Sequence, residues 1–577
     1  MNLSEIDRYL RISLRASLIT LLLFEVPVLA MGARQERLID GWRPLHYSIR
    51  ITLDDQLTFI TRAQADLTLL ILKDNLTVID LDFGDMTVDS AKVNNIPAEF
   101  KRPSGKLNVE LPKPFKKGVR VIVSISYHGK PKDGLILTSD KDGKPSAVGD
   151  NWPDRLHNWI PCFDHPSAKA TITFTVTAPD RNLVVANGRL DRVENTSDAT
   201  RTWTYTEAVP IPPYCMIIAV GQFQKLHPTD SGITSLSYYV PKSDAEFAMQ
   251  GFAPAIPSLK YFSQTVAPYP YEKLALIVGS TRFGGMENSG AIVFTSTLFN
   301  PRSNAPISPV FNIRRGLVSL IAHEIAHQWF GDSVTESTWS DLWLSEGFAT
   351  YFAGLFIQKH EGEEAFRDYM KQSAETYFAY ARGTRTPIFD TQTENLSKLL
   401  NANNYQKGAW VLHMLRTQLG DKAFFQGVRN YYRRHKNSTA SSDDLRIALE
   451  RASRSSLRAF FQRWIYGAGH PRYGLSWRWN PSNRTARVIL KQLQPQSFFP
   501  NPISIDITTS QGKRRFIIRP TSKQTISEIR LNDAPLNVIL DPDNDVLKEV
   551  SPSSAAVAFP SYPIVLNQGA PRFALPR

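Results

Sequence analysis

The chain has 577 residues, of which 42% are hydrophobic and 21% charged, a composition typical of a globular protein of about three or four domains. Two cysteines exclude a disulfide-dense scaffold. The formal net charge is +13, but the basic residues are spread along the chain and form no recognisable nucleic-acid module. We therefore exclude nucleic acid as a partner and keep acidic peptides or a membrane surface open.

Residues 1–33 have the layout of a secretory signal peptide. Basic residues precede a short apolar stretch, residues 16–30, which ends in Val28-Leu29-Ala30. Glu25 and Pro27 interrupt this stretch, and it is shorter than the roughly 20 apolar residues that a membrane-spanning helix needs. We expect cleavage and export to the periplasm or the extracellular space, with an uncleaved membrane anchor as the alternative.

Residues 34–225 predict an N-terminal β domain, a saddle or a sandwich. Apolar and polar residues alternate in runs such as 170–176, and Pro, Gly and Asp mark the turns between them. Cys162 and Cys215 both lie in this region. They either pair in an oxidising compartment or remain as buried free thiols.

Residues 226–469 are dominated by helical patterns after a short strand section. A glycine-rich segment, residues 282–290, lies between the strand-like runs 274–278 and 291–294. Its glycines would let a peptide pair with an exposed strand edge, and Glu287 could fix a positive group at the end of that peptide. An ordinary turn with a solvated glutamate is the alternative.

Residues 323–327 read His-Glu-Ile-Ala-His inside an apolar helical run, and Glu346 follows after 18 intervening residues. Histidines four residues apart lie on one helix face, so both imidazoles can reach one ion, with Glu324 beside the position of a metal-bound water. Glu346 adds a third ligand and leaves a fourth position open. The pattern predicts one Zn²⁺ per chain, held by His323, His327 and Glu346, whereas HExxH alone also arises by chance on amphipathic helices.

Further helices are expected over residues 405–419, from 421 and over 456–461. Strand patterns return after residue 469 and predict a small C-terminal β-sandwich over residues 470–550. Residues 551–577 are rich in Ser, Ala and Pro and predict a loosely ordered tail. The predicted fold class is therefore multidomain α+β.

Several motifs together resemble those of the zinc aminopeptidases similar to aminopeptidase N, a group that includes the leukotriene epoxide hydrolase. Residues 284–288 resemble the GxMEN exopeptidase motif, and residues 323–346 match HExxH(x18)E. Residues 339–349 look like WxDxWLNEGFA, and residues 405–408 are similar to YxKG. The likeness covers roughly residues 40 to 550 and implies a thermolysin-like catalytic domain over residues 226–469. The long helical C-terminal domain of larger relatives has no counterpart here, so we expect a more open cleft.

The resemblance also implies roles for single residues. Glu324 would take a proton from the metal-bound water, and Tyr405 would donate a hydrogen bond to the tetrahedral oxyanion. An aromatic residue packing beside Trp410 on a helix surface is the alternative for Tyr405. Glu287 would bind the free α-amino group of the substrate. The remaining residues carried over as substrate-binding are Gly284, Gly285, Met286 and Asn288.

The sequence departs from the family pattern in places that matter for tuning. Ser345 stands where relatives often have an asparagine before the third ligand. Gly331-Asp332 stands where many relatives have Gly-Asn after the zinc helix. Both Ser345 and Asp332 should lie near the metal ligands. His165 replaces a glutamate in a stretch similar to FPCxDEP. Asp150 or Asn151 is expected in place of a substrate-contacting glutamine.

The predicted function is a zinc-dependent aminopeptidase acting on peptides with a free N-terminus. A non-peptide hydrolase of the epoxide type on the same site, or an inactive peptide-binding protein, are the alternatives. Loss of Glu324, Tyr405 or a ligand would have indicated the inactive protein, and all are present.

Overall fold

The computed structural model describes residues 33–197, 199–228, 232–299 and 306–551. The predicted signal peptide and the predicted tail lie outside these ranges, except for Ala33 and Ser551. Within the described ranges, no helix is long and apolar enough to cross a membrane.

The N-terminal region is built of strands because apolar and polar residues alternate along it. In the first strand, for example, Tyr47, Ile49 and Ile51 are buried on one face. The strands described in this region are β1 Trp42–Leu53, β2 Ile60–Ile71, β3 Leu76–Asp82, β4 Thr87–Val93, β5 Ile96–Pro97, β6 Phe100–Lys101, β7 Lys106–Phe115, β8 Arg120–Gly129, β9 Leu135–Ser139, β10 Pro145–Gly149, β11 Ala170–Pro179, β12 Leu183–Ala186, β13 Arg189–Ser197, β14 Thr200–Ile211 and β15 Ile218–Gly221.

These strands form three sheets. The largest has the order β13-β14-β11-β1-β2-β8-β4-β5, and within it only β1 and β11 pair in parallel. The other two have the orders β12-β15-β10-β9 and β3-β7-β6. One apolar core holds the sheets together, since Ile49, Leu81 and Val184, one from each sheet, belong to the same buried cluster.

The middle region begins with a five-stranded sheet of order β16-β17-β18-β20-β19, in which β17, β18 and β20 run parallel and β19 is antiparallel to β20. Its strands are β16 Gln224–Leu226, β17 Ser235–Val240, β18 Lys273–Gly279, β19 Gly285–Met286 and β20 Ala291–Thr295. A short parallel pair, β21 Val334–Glu336 and β22 Ser438–Ala440, lies further along the chain. Among the described residues, β19 is one of the two edge strands of the five-stranded sheet, and β16 is the other.

Helices make up the rest of the middle region: α1 Ala245–Gly251, α2 Ala255–Thr265, α3 Arg315–His327, α4 Trp343–Glu361, α5 Glu363–Ala381, α6 Gly408–Leu419, α7 Asp421–His435, α8 Ser442–Ser453 and α9 Arg458–Trp464. Helix α4 is the centre of the bundle, because every residue from Trp343 to Ile357 is buried. Helix α8 begins at a capping box, in which Ser441 and Asp444 satisfy each other's backbone N–H groups.

The C-terminal strands form a four-stranded sheet, β27-β24-β23-β29, and a three-stranded sheet, β26-β25-β28. Their bounds are β23 Arg472–Asn480, β24 Thr485–Gln492, β25 Ile503–Thr509, β26 Gly512–Ile518, β27 Gln524–Arg530, β28 Asn537–Leu540 and β29 Glu549–Val550. They share a core with the helices, as the contact between the rings of Trp464 and Phe499 illustrates, with centroids 4.6 Å apart.

Two expectations about this architecture can be refined. Strand β16 straddles the predicted domain limit at residue 225 and pairs with β17, so this strand belongs to the middle sheet. Cys162 and Cys215 are both buried free thiols, which leaves the second of the two predicted alternatives.

Candidate active site

Two neighbouring helices bring four polar side chains of the predicted metal motif together. Helix α3 carries His323, Glu324 and His327 in its last turns, and the first turn of α4 carries Glu346. Glu346 Oε2 lies 3.3 Å from His323 Nε2 and 3.4 Å from His327 Nε2, and the two ring nitrogens are 3.0 Å apart. The three side chains converge on one point.

This convergence fits a tetrahedral zinc ion. Ligand atoms about 2.0–2.1 Å from such an ion lie about 3.3 Å from each other, close to the separations observed. The buried Oε2 atom of Glu346 has no hydrogen-bond partner among the described residues, which a metal bond would supply. Two imidazoles and one carboxylate are also the nitrogen and oxygen donors that zinc accepts.

The backbone and Ser345 set the orientation of the His327 ring. Its Nδ1 atom lies 3.1 Å from the carbonyl oxygen of Phe330 and 3.0 Å from the hydroxyl of Ser345. Because a carbonyl only accepts, Nδ1 carries a proton, and Nε2 is the ring nitrogen that faces the ligand cluster. Gly331 makes room for this arrangement: its φ is +120°, and a Cβ there would lie 2.4 Å from Ser345 Oγ.

The buried charges of the site shift one another's pKa values. Burial lowers the pKa of His327, but the carboxylates of Glu287 and Glu346 outweigh it and raise that pKa to about 10. Burial raises the pKa of Glu346, but the charge of His327 and the proximity of both histidine rings outweigh it and lower that pKa to about 2. Burial raises the pKa of Glu324 well above its usual range and the pKa of Glu287 to about 7.

Strand β19 passes directly over Glu324. A Cβ atom at Gly285 would lie 2.4 Å from the carboxyl group of Glu324, so any side chain here would have to displace that carboxyl group. A Cβ at Gly284 would meet Leu320 at 3.7 Å, an ordinary contact. Glu287 follows the strand, and its carboxylate, that of Glu324 and a ring nitrogen of His327 lie within 4.8 Å of one another. The predicted edge strand is therefore present beside the ligand cluster.

Gln328 ties the segment after β19 to the metal helix, a link that sequence reasoning missed. Its side-chain nitrogen donates to the carbonyl of Glu287 at 2.7 Å, and its oxygen accepts the N–H of Gly290 at 2.8 Å. The same nitrogen donates to Asp332 Oδ2 at 2.8 Å. A buried glutamine directly after the second histidine was the available signal. Asp332 thus reaches the site through Gln328.

Tyr405 lies on a π-helical turn, Asn403–Lys407, that precedes α6. Turns of this kind are frequent at functional sites because they redirect a side chain. The Tyr405 hydroxyl donates to Glu346 Oε1 at 2.7 Å, and its ring stacks on that of His323 at 5.9 Å. The alternative of a surface aromatic beside Trp410 is therefore wrong.

The ligand cluster opens into a cavity of about 610 Å³. Four side chains, which we call the apolar wall, line it on one side: Trp152, Phe283, Met286 and Leu400. Glu287, Tyr405 and the four motif side chains line it as well, together with Gly284, Gly285, Gly316, Ser319, Leu320, Thr350, Tyr369 and Gln406. The glycine-rich motif had predicted Met286 as a substrate-binding residue, whereas no motif indicated Trp152 or Leu400, which come from distant segments.

Three predicted contacts lie elsewhere. The side chain of Asn288 is fully buried and donates to the carbonyl of Met286, so it does not line the cavity. Asp150 is bound by Arg155, and Asn151 bonds Met216 and Trp159. Asp150 and Asn151 thus form hydrogen bonds with other buried groups of the protein. The next residue, Trp152, lines the cavity instead.

The ligand geometry and the cavity define the class of site, one whose three donor side chains can hold a metal ion beside an open cavity. Two family models match the chain: the Peptidase M1 N-terminal domain over residues 43–215 and the Peptidase family M1 domain over residues 252–464, together about two thirds of the sequence. The chain belongs to peptidase family M1.

Curated relatives agree with this family. Glutamyl aminopeptidase of Homo sapiens is 28% identical over 66% of this chain and 42% of its own length. Leucyl aminopeptidase of Saccharolobus solfataricus is 28% identical over 69% of this chain and 50% of its own length. Tricorn protease-interacting factor F2 of Thermoplasma acidophilum is 26% identical over 77% of this chain and 56% of its own length. The chain thus spans about half the length of the curated relatives it matches.

Proposed function

We propose that this protein is a zinc-dependent aminopeptidase that removes the N-terminal residue from peptides. The observation that carries the proposal is the position of Glu287, whose carboxylate lies beside Glu324 and His327 at the open edge of β19. A carboxylate at this place meets the end of an extended peptide, where only a free N-terminus offers a positive charge. Peptides with a free N-terminus are accordingly the proposed substrates.

His323, His327 and Glu346 are the proposed ligands of one Zn²⁺ per chain. Peptidases of family M1 are zinc-dependent, which agrees with the donor set and its spacing. When bound, the ion would supply Lewis-acid polarisation of the scissile carbonyl and would lower the pKa of a water to about 7.

Glu324 is the proposed general base. It is buried, lines the cavity and lies against Gly285, where the peptide backbone would pair with β19. Its carboxylate accepts a proton from the attacking water and passes it to the nitrogen of the leaving peptide. Gly285 permits this approach because it has no side chain.

Tyr405 is the proposed donor to the oxyanion. Its hydroxyl is held at the cluster by Glu346, and burial raises its pKa well above the usual range, so it remains a proton donor at neutral pH. A donor pre-positioned in a water-poor cavity stabilises developing negative charge with little reorganisation.

Glu287 is the proposed anchor of the substrate α-amino group. Glu287 is only 6% exposed as a residue, so a neutral partner would leave its carboxylate poorly solvated. An acylated N-terminus cannot donate the same charge-assisted hydrogen bond, and we expect it to be rejected. An endopeptidase would have no use for this group.

The test is a panel of aminoacyl amides with free and acetylated N-termini, assayed with purified protein before and after chelation. We expect cleavage of the free series only, its loss on chelation and its recovery with Zn²⁺. Equal cleavage of both series would refute the aminopeptidase assignment. Cleavage of an epoxide without any peptidase activity would favour the non-peptide hydrolase instead.

Glu287→Gln sharpens this test, because glutamine preserves the shape of the side chain without its charge. We expect kcat/KM for free amides to fall by about two orders of magnitude. Zinc content, measured by elemental analysis, should stay unchanged. An unchanged preference for free over acetylated substrates would contradict the anchoring role.

Two further assignments are also proposals. We infer that the chain is exported, on the pattern of residues 1–33 alone. The described sheets and helices support a β domain that ends before β16 at residue 224, a thermolysin-like catalytic domain from there to residue 469 and a C-terminal β-sandwich over 470–550.

A further inference from the structure

The apolar wall belongs to one buried cluster at the junction between the N-terminal strands and the five-stranded sheet. Trp152 and Met286 are buried members of it, while Phe283 and Leu400 pack against it and are half-buried. The Trp152 ring is held edge-on between Phe283 at 6.0 Å and Trp339 at 5.7 Å. This packing makes the wall rigid rather than adaptable.

Strand alternation separates the two sides of the cavity. Successive side chains of a strand point to opposite faces, so Gly285 and Glu287 face Glu324 while Met286 faces the apolar cluster. A peptide whose ammonium group is bound by Glu287 has its first carbonyl at the ligand cluster. The side chain of the first residue of that peptide then lies against the apolar wall.

The charges that line the cavity exclude an acidic first residue. Among the described residues the charged lining groups are Glu287, Glu324, Glu346 and the two histidines, and no lysine or arginine lines the cavity. The arginines nearest along the chain are engaged elsewhere: Arg155 binds Asp150 and Asp133, and Arg282 also binds Asp133.

A second cavity, of about 540 Å³, receives those two arginines. Trp339 lines this second cavity, and its ring contacts that of Trp152 with centroids 5.7 Å apart. An acidic first side chain of the substrate would therefore lose its hydration at the apolar wall without pairing with a lysine or arginine. A basic first side chain would find no carboxylate there beyond Glu287.

We propose that this wall selects peptides whose first residue is large and apolar, such as leucine, methionine or phenylalanine, and that Trp152 is a specificity-determining residue. The inference rests on the proposed function, since it places the side chain relative to Glu287. It distinguishes this chain from the relative named glutamyl aminopeptidase, in spite of 28% identity.

The experiment compares kcat/KM for the amides of leucine, phenylalanine, methionine, alanine, glutamate and arginine. We expect the three large apolar residues to exceed alanine at least about tenfold and glutamate about a hundredfold. If glutamate or arginine is preferred, the inference is wrong while the aminopeptidase assignment stands. If no free amide is cleaved, the proposed function fails first.

Two variants locate the preference in the wall. Trp152→Ala should reduce the leucine-to-alanine ratio about tenfold, and Trp152→Phe should restore most of it. Phe283→Arg, at a half-buried position that tolerates a charge, should raise the use of glutamate relative to leucine about tenfold. Thermal unfolding checks that each variant is folded. If the substrate ratios of folded variants equal those of the wild type, the wall does not set the preference. Phe283→Arg provides this test even if Trp152→Ala does not fold.

Discussion

The two sides of the cavity differ in how the chain builds them. His323, Glu324, His327 and Glu346 come from two helices within 24 residues of sequence, whereas Trp152, Phe283 and Leu400 come from segments more than a hundred residues apart. The first side needs donor atoms at fixed separations, which the helical repeat provides. The second needs only apolar surface of the right shape, which any segment can supply. Chemistry and selectivity should therefore respond differently to substitution.

The largest effect is expected at Glu324. Glu324→Gln preserves the shape of the side chain but removes the base, and kcat should fall by about two to four orders of magnitude while zinc remains bound. The matched control is Glu336→Gln, because Glu336 is equally buried but does not line the cavity. Wild-type turnover of Glu324→Gln would eliminate the general-base role.

The second-largest effect is expected for Tyr405→Phe. Its kcat should fall by about two to three orders of magnitude, with little change in KM. Tyr369→Phe is the control, since Tyr369 lines the same cavity but donates its hydroxyl to the backbone of Thr350. Equal losses in both variants would mean that the hydroxyl of Tyr405 only stabilises the fold.

The adjacent glycines give a test of geometry alone. Gly285→Ala places a methyl group against the Glu324 carboxyl, and a displacement of about 1 Å costs about a hundredfold in kcat/KM. Gly284→Ala meets only Leu320 at ordinary contact distance and should be nearly neutral. Steady-state kinetics of the pair checks this, and similar activities would show that Glu324 can move aside.

The smallest effect is expected at Ser345, whose hydroxyl supports the proposed metal ligand His327. Ser345→Ala removes one of the two partners of His327 Nδ1, so zinc affinity should fall about tenfold, with Phe330 retaining the ring orientation. Competition with a chelator measures this directly. Ser319→Ala, in the same cavity but bonded to its own helix, should leave the affinity unchanged.

Different parts of the site were predictable to different degrees. The HExxH spacing predicted that His323 and His327 would share a helix face, because an α-helix repeats every 3.6 residues. The glycine-rich run predicted the edge strand at Gly285, but Asn288, placed beside substrate by the same motif, is buried away from the cavity. A motif gives residue types, whereas the direction of each side chain depends on the strand to which it belongs.

Other features had no local signal. The π-helical turn directs Tyr405 towards Glu346 and depends on packing against α4. The hydrogen bonds of Gln328 require the segment after β19 to lie next to α3. A sequence pattern of period 3.6 does not distinguish a π turn from the start of an α-helix.

The sequence by itself determined the donor set of the proposed metal site, the strand-rich and helical regions, and the family, because motifs, local spacing and periodicity carry this information. Only the tertiary structure decided that Trp152 and Leu400 complete the apolar wall, that Asp150 and Asn151 bond other parts of the fold, and that Cys162 and Cys215 are free thiols. These outcomes depend on contacts between residues distant along the chain, and burial of apolar surface, which drives such contacts, is not directional.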